Sequence, residues 1–140
     1  MPKVLFALVV LILGIHFPAL TYDWYGKIPW LDVPMHIAGG FWLGLLFYYL
    51  FVIGKPVLNQ NNTVALFILG LGFVAFVGVL WELYEFLADV YLLKAYALTA
   101  ASGYTHFDTF TDVVNDFIGG AIALVISPML FTRAPKDGER

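Results

Sequence analysis

A chain of 140 residues that is 61% hydrophobic and 12% charged, with a mean hydropathy of +0.86, is too apolar to keep a water-facing surface and reads as one integral membrane domain. Its net charge of -3 and its seven scattered Lys and Arg residues exclude a basic nucleic-acid surface. With no cysteine there is no disulfide framework, thiolate metal site or thiol nucleophile, so any metal must be held by oxygen and imidazole.

Four stretches are apolar enough to cross a hydrocarbon core, which takes roughly 20 residues of helix. They run from about 4 to 20, 33 to 53, 63 to 89 and 112 to 131, and predict an all-α, four-helix transmembrane bundle. The membrane domain covers 1–132, followed by a polar tail at 133–140. Pro18, Pro34, Pro56 and Pro128 fall near span ends, where a missing backbone N–H is tolerated. Lys3 before the run Val4 to Ile15 has the order of a signal peptide, but no small-x-small cleavage site follows, so the first span is expected to be retained.

The first external loop carries Tyr22, Trp24, Tyr25 and Trp30, read as headgroup-level anchors. Glycines at 40 and 44, at 70, 72 and 78, and at 119 and 120, with Ala75 and Ala123, have the spacing of helix contacts. Between the third and fourth spans, residues 90–107 exceed an ordinary connection and predict a short interfacial segment. With both termini cytoplasmic, Lys3, Lys55, Arg133, Lys136 and Arg140 lie inside and only Lys27 and Lys94 outside, the bias expected of a multi-pass membrane protein.

That topology gathers eight carboxylates at the external ends of the helices: Asp23, Asp32, Glu82, Glu85, Asp89, Asp108, Asp112 and Asp116, together with His16, His36 and His106. Asp23 reads as a solvated loop residue and His16 as a satisfied polar residue. Asp32 and His36 are four apart, Glu82, Glu85 and Asp89 three and four apart, and Asp108, Asp112 and Asp116 four apart each time, so each helix offers one polar stripe. Stripes facing lipid would be prohibitively costly, so they face one another. So many carboxylates against so few cations must share protons or bind a cation.

This pattern predicts a divalent metal, of unspecified element, held by His36, Glu82, Glu85, Asp108 and Asp112, with Asp32, Asp89 and His106 in support. Glu82, Asp112 and Asp116 are the candidate bases for an activated water. A shallow membrane site with an aromatic rim suits membrane lipids or an envelope precursor as substrate, in a protein that could also associate into oligomers. The alternatives are a proton- or cation-coupled transporter and a structural subunit held together by a protonated polar network.

The segments Asp32 to Gly40, Trp81 to Phe86, and Asp108 through Asp112 and Asp116 to Ala121 together resemble the YjdF-like family of small bacterial membrane proteins of unknown function. More distantly they look like VanZ-like proteins, in whose pattern an acid-lysine pair precedes the His; here Val33 takes the lysine's place, and Asn115 or Asp116 stands near that pattern's Asn. The resemblance implies the fold and the polar positions, without a reaction.

Overall fold

The computed structural model describes residues 1–54, 57–88, 90–91 and 104–131, with the backbone alone for 104–106. Among these residues the architecture is all-α. Helix α1 spans Pro2–Thr21, with Pro2 in the first turn, where its absent N–H costs nothing. The chain then folds back through a single turn, α2 (Trp24–Lys27), and a 3₁₀ turn at Pro29–Leu31. Asp23, the non-glycine residue with a left-handed backbone (φ 55°), makes the corner between α1 and α2.

Helix α3 (Asp32–Tyr48) runs on as a widened π-helical stretch at Tyr49–Gly54. Helix α4 covers Thr63–Ala88. Asn62 caps it: its side-chain oxygen accepts the Ala65 N–H at 3.2 Å, which accounts structurally for the polar run Asn61-Asn62-Thr63. Helix α5 covers Tyr104–Leu130. Four helical segments, Pro2–Thr21, Pro29–Gly54, Thr63–Ala88 and Phe107–Leu130, are long and apolar enough to span a membrane.

The last helix starts about two turns before the expected 112. The apolar run marks only where the helix becomes lipid-compatible; residues 104–111 contain neither Gly nor Pro, and nothing in them stops a helix extending beyond the hydrocarbon. The middle of the interfacial segment expected at 90–107, together with Asp89, Lys94 and the 133–140 tail, lies outside the described residues.

The bundle is organised around α3 and α5, which share its most extensive contact. They meet backbone to backbone. A Cβ on Gly40 would stand 2.1 Å from the Asp116 carbonyl oxygen, and one on Gly119 2.0 Å from that of Ile37. One turn along, a Cβ on Gly44 would stand 2.8 Å from the Ala123 Cβ and 2.9 Å from the Gly120 carbonyl oxygen. Helix α4 packs on both; Val74 fills the space over Gly120, and Leu124 the space over Gly70. Helix α1 packs mainly on α3, tied by the Trp42 indole N–H donating to the Leu5 carbonyl at 2.9 Å. Of the glycines expected at contacts, Gly72 is the exception and faces open space.

The half of the bundle remote from the acids is closed by Phe47, Tyr48, Val52, Leu66 and Leu124, all buried. Gly40→Ala and Gly119→Ala should each lower stability by about 1–3 kcal/mol or more, because the obstacle is backbone and cannot rotate away. Gly14→Ala, with nothing within 4 Å, should be neutral or stabilising; thermal unfolding in detergent compares the three.

Candidate functional site

The close approach of α3 and α5 sets two polar residues side by side. His36 lies one turn before Gly40, and Asp116 one turn before Gly120. The imidazole is buried and stands among four carboxylates from three helices. Its Nε2 is 3.5 Å from Asp32 Oδ1 and 3.9 Å from Asp112 Oδ1. Its Nδ1 is 3.5 Å from Asp116 Oδ1 and 3.9 Å from Glu82 Oε1. Side-chain exposure is 5% for His36, 6% for Asp112, 7% for Asp116 and 10% for Glu82, against 28% for Asp32. The cluster is therefore wettest at the start of α3 and driest one to three turns in.

Glycines make the room. The Asp116 carboxylate is wedged between α3 and α4, where a Cβ on Gly78 would be 2.6 Å from its Oδ2 and one on Gly39 3.9 Å from its Oδ1. Glu82 presents Oε1 to the imidazole with no hydrogen-bond partner for that buried atom. Asn115 Nδ2 is the other buried, unpartnered side-chain atom among the described residues. Glu85 is half-buried one turn beyond Glu82.

Two sets of three ligand atoms, Asp32–His36–Asp112 and His36–Glu82–Glu85, each lie within 4.8 Å of one another, a spacing open to a metal ion. The separations of 3.5–3.9 Å from ring to carboxylate exceed the ~2.7–2.9 Å of a direct charge-assisted hydrogen bond. They are close to the roughly 3.3–3.6 Å between neighbouring ligands held tetrahedrally at about 2.0–2.2 Å from a divalent cation. Among the described residues no Lys or Arg ion-pairs with these carboxylates, and His36 alone cannot balance four negative charges. The donors are hard oxygens and one imidazole, the chemistry of Mg, Mn, Zn or non-haem Fe sites.

The sequence-predicted residues divide accordingly. His36, Glu82, Glu85, Asp112 and Asp116 converge, and Asp32, expected as a supporting residue, is as close to the ring as any of them. Asp108, expected as a ligand, is exposed a turn before Asp112 and belongs to neither set of three. Asp89 and the His106 side chain lie outside the described residues, and Asp23 is exposed at the α1–α2 corner.

His16 shares a hydrogen bond with the Tyr25 hydroxyl at 2.9 Å and meets the Trp81 ring edge-on at 5.2 Å. Tyr25, grouped by composition with the anchoring aromatics, instead turns inward. Burial, reinforced by the charges of Asp32 and Glu85, pushes its hydroxyl up to about 12. Only the folded loop, through the Asp23 corner, brings it to His16.

Four spans closed around an imidazole and carboxylate cluster define an integral membrane protein with a polar site inside its helical bundle. The chain belongs to the DUF2238 family of predicted membrane proteins, whose family model matches residues 1–133. No curated protein and no solved structure matches it.

Because the Tyr25 pKa is higher folded than unfolded, its contribution to stability is complete below pH 10 and is lost as pH rises toward 12. The difference between the ultraviolet tyrosinate titrations of wild type and Tyr25→Phe should have its midpoint near 12 rather than 10.

Proposed function

We propose that this protein holds a divalent cation at the His36 cluster and uses it in metal-assisted hydrolysis or modification of an amphiphilic lipid or envelope precursor at the external face of a bacterial inner membrane. The observation that carries the reading is the buried, unpartnered Oε1 of Glu82 aimed at an imidazole already flanked by three other carboxylates. An unsatisfied carboxylate oxygen in such a place costs several kcal/mol unless a proton or a cation meets it.

His36, Glu82, Glu85, Asp112 and Asp32 are the residues that would hold the cation. Bound there, it would act as a Lewis acid on an ester or phosphoryl oxygen. Asp116, held beside the ring by Gly39 and Gly78, and Glu82 or Asp112 are placed to take a proton from an attacking water. Partly exposed Asp32 marks the wet entrance.

The apolar closure by Phe47, Tyr48, Val52, Leu66 and Leu124 weighs against a transport path through the bundle: among the described residues the buried polar groups at that end are the Tyr48 hydroxyl and Ser127, whose hydroxyl is spent on the Ala123 carbonyl. It supports a site served from one side.

Elemental analysis of protein purified in mild detergent, without chelator or metal-affinity tag, tests the reading. About one equivalent of a divalent metal per chain is expected, falling about tenfold in Glu82→Gln and in Asp112→Asn while thermal stability is kept. Metal-free wild type that also refuses added divalents would sink it and leave a proton-sharing network. Because the chain has no cysteine, Lys27→Cys should react with an impermeant maleimide in intact cells and Asn61→Cys should not; the reverse pattern would place the site on the inner face.

A further inference from the structure

Next to the cluster lies a cavity that the chemistry above does not use. It measures about 170 Å³ and is walled by α1, α3 and α4, with Val9, Ile12, Leu43 and Val77 among its apolar sides. A space of that size admits a benzene-sized group; an engineered apolar cavity of ~150 Å³ does so. One end is polar: His16, Tyr25, Asp32, His36, Glu85 and Asp116 line it. Gly39 lies on the wall with one atom within 4 Å of a would-be Cβ, so part of the space exists because this residue has no side chain.

The cavity is a slot in the side of the bundle. Helix α1 rests on α3 and makes no extensive contact with α4; the two come together at the rings of His16 and Trp81. The cavity lies between the two helices beside that pair, lined by Val9, Ile12 and Leu13 from α1 and by Val77 and Gly78 from α4, and Leu13 is itself exposed. Both helices are membrane spans, so what surrounds the gap is hydrocarbon. From His16 back to Val9, and from Glu85 back to Val77, the slot runs roughly 10 Å along the helices. A space that is apolar along one part of that length, borders lipid at its side and is lined by ionisable groups along the other is matched to an amphiphile, and ill matched to water or a soluble metabolite.

We propose that the slot between α1 and α4 takes the head-proximal stretch of one acyl chain of a membrane phospholipid, which enters sideways from the bilayer, leaves the rest of the chain in the hydrocarbon and delivers its head to the His36 cluster. His16 and Tyr25, hydrogen-bonded to each other at the junction, mark where chain gives way to head, and their polar atoms face the glycerol ester level. The assignment of the head to the cluster rests on the cation reading above; occupancy of the slot by the chain does not.

The test uses the full chain in lipid nanodiscs containing a phospholipid with a photoreactive diazirine in one acyl chain, with crosslinks mapped by peptide mass spectrometry. Labelling at Ile12, Leu43 and Val77 should exceed that at Phe76 and Val79, which face outward at 66% and 57% exposure. Filling the slot with Ile12→Trp, or independently with Gly39→Leu, should lower slot labelling about tenfold and leave Phe76 and Val79 unchanged. Slot labelling no stronger than on the outward faces, or unaffected in both filled variants, would overturn the proposal. Metal content measured on the same samples separates the two ideas: slot labelling in metal-free protein removes the cation alone, and bound metal without slot labelling removes the acyl site alone.

Discussion

Contact between the backbones of α3 and α5 governs the molecule. Gly40 against the Asp116 carbonyl and Gly119 against that of Ile37 leave no room for a single methyl group, and it is this approach that carries His36 and Asp116 to the same level within 3.5 Å. In lipid, helices gain little from hiding apolar surface, and close packing of small residues supplies much of what holds them together. The polar cluster therefore does not build the bundle; it occupies a place that the glycines hold open. Replacing them would move the ligands apart before it touched any of them.

The same logic explains how a carboxylate as deep as Asp116 is accommodated. Gly39 and Gly78, from two different helices, leave the volume that its side chain fills, and the imidazole beside it is the basic side chain within ion-pair distance among the described residues. Burial sharpens every interaction in the cluster and makes each unmet atom expensive. Glu82 Oε1 and Asn115 Nδ2 are the two points where that expense is visible.

Much of this arrangement was legible in the residues themselves, because helical spacing alone puts Asp32 with His36, Glu82 with Glu85, and Asp112 with Asp116, and the cost of charge in lipid turns those stripes inward. The pairing of helices was not legible, since glycines at contact spacing occur on three of them and only the fold shows that α3 and α5 meet most closely. Nor was the depth at which a stripe leaves the bundle, so Asp108 reads from periodicity like its neighbours yet stands exposed. Tyr25 was hidden for another reason: its partner is reached through an irregular corner at Asp23 that carries no periodic signal. The side slot was least accessible of all, being defined by the sparse contact of α1 with α4 and by the side chain Gly39 lacks.

One mechanical consequence follows from the unequal packing of the three helices that carry the cluster. His36, Asp32, Asp112 and Asp116 ride on a pair of helices locked at glycine contacts, so their mutual distances are fixed as if by a vice. Glu82 and Glu85 ride on α4, whose contacts with that pair are made through deformable side chains such as Val74 and Leu124. Any change in the size of what the cluster encloses must be taken up by α4 tilting or sliding. Its movement would also alter the width of the gap facing α1, making the α4 wall the compliant part of an otherwise rigid frame.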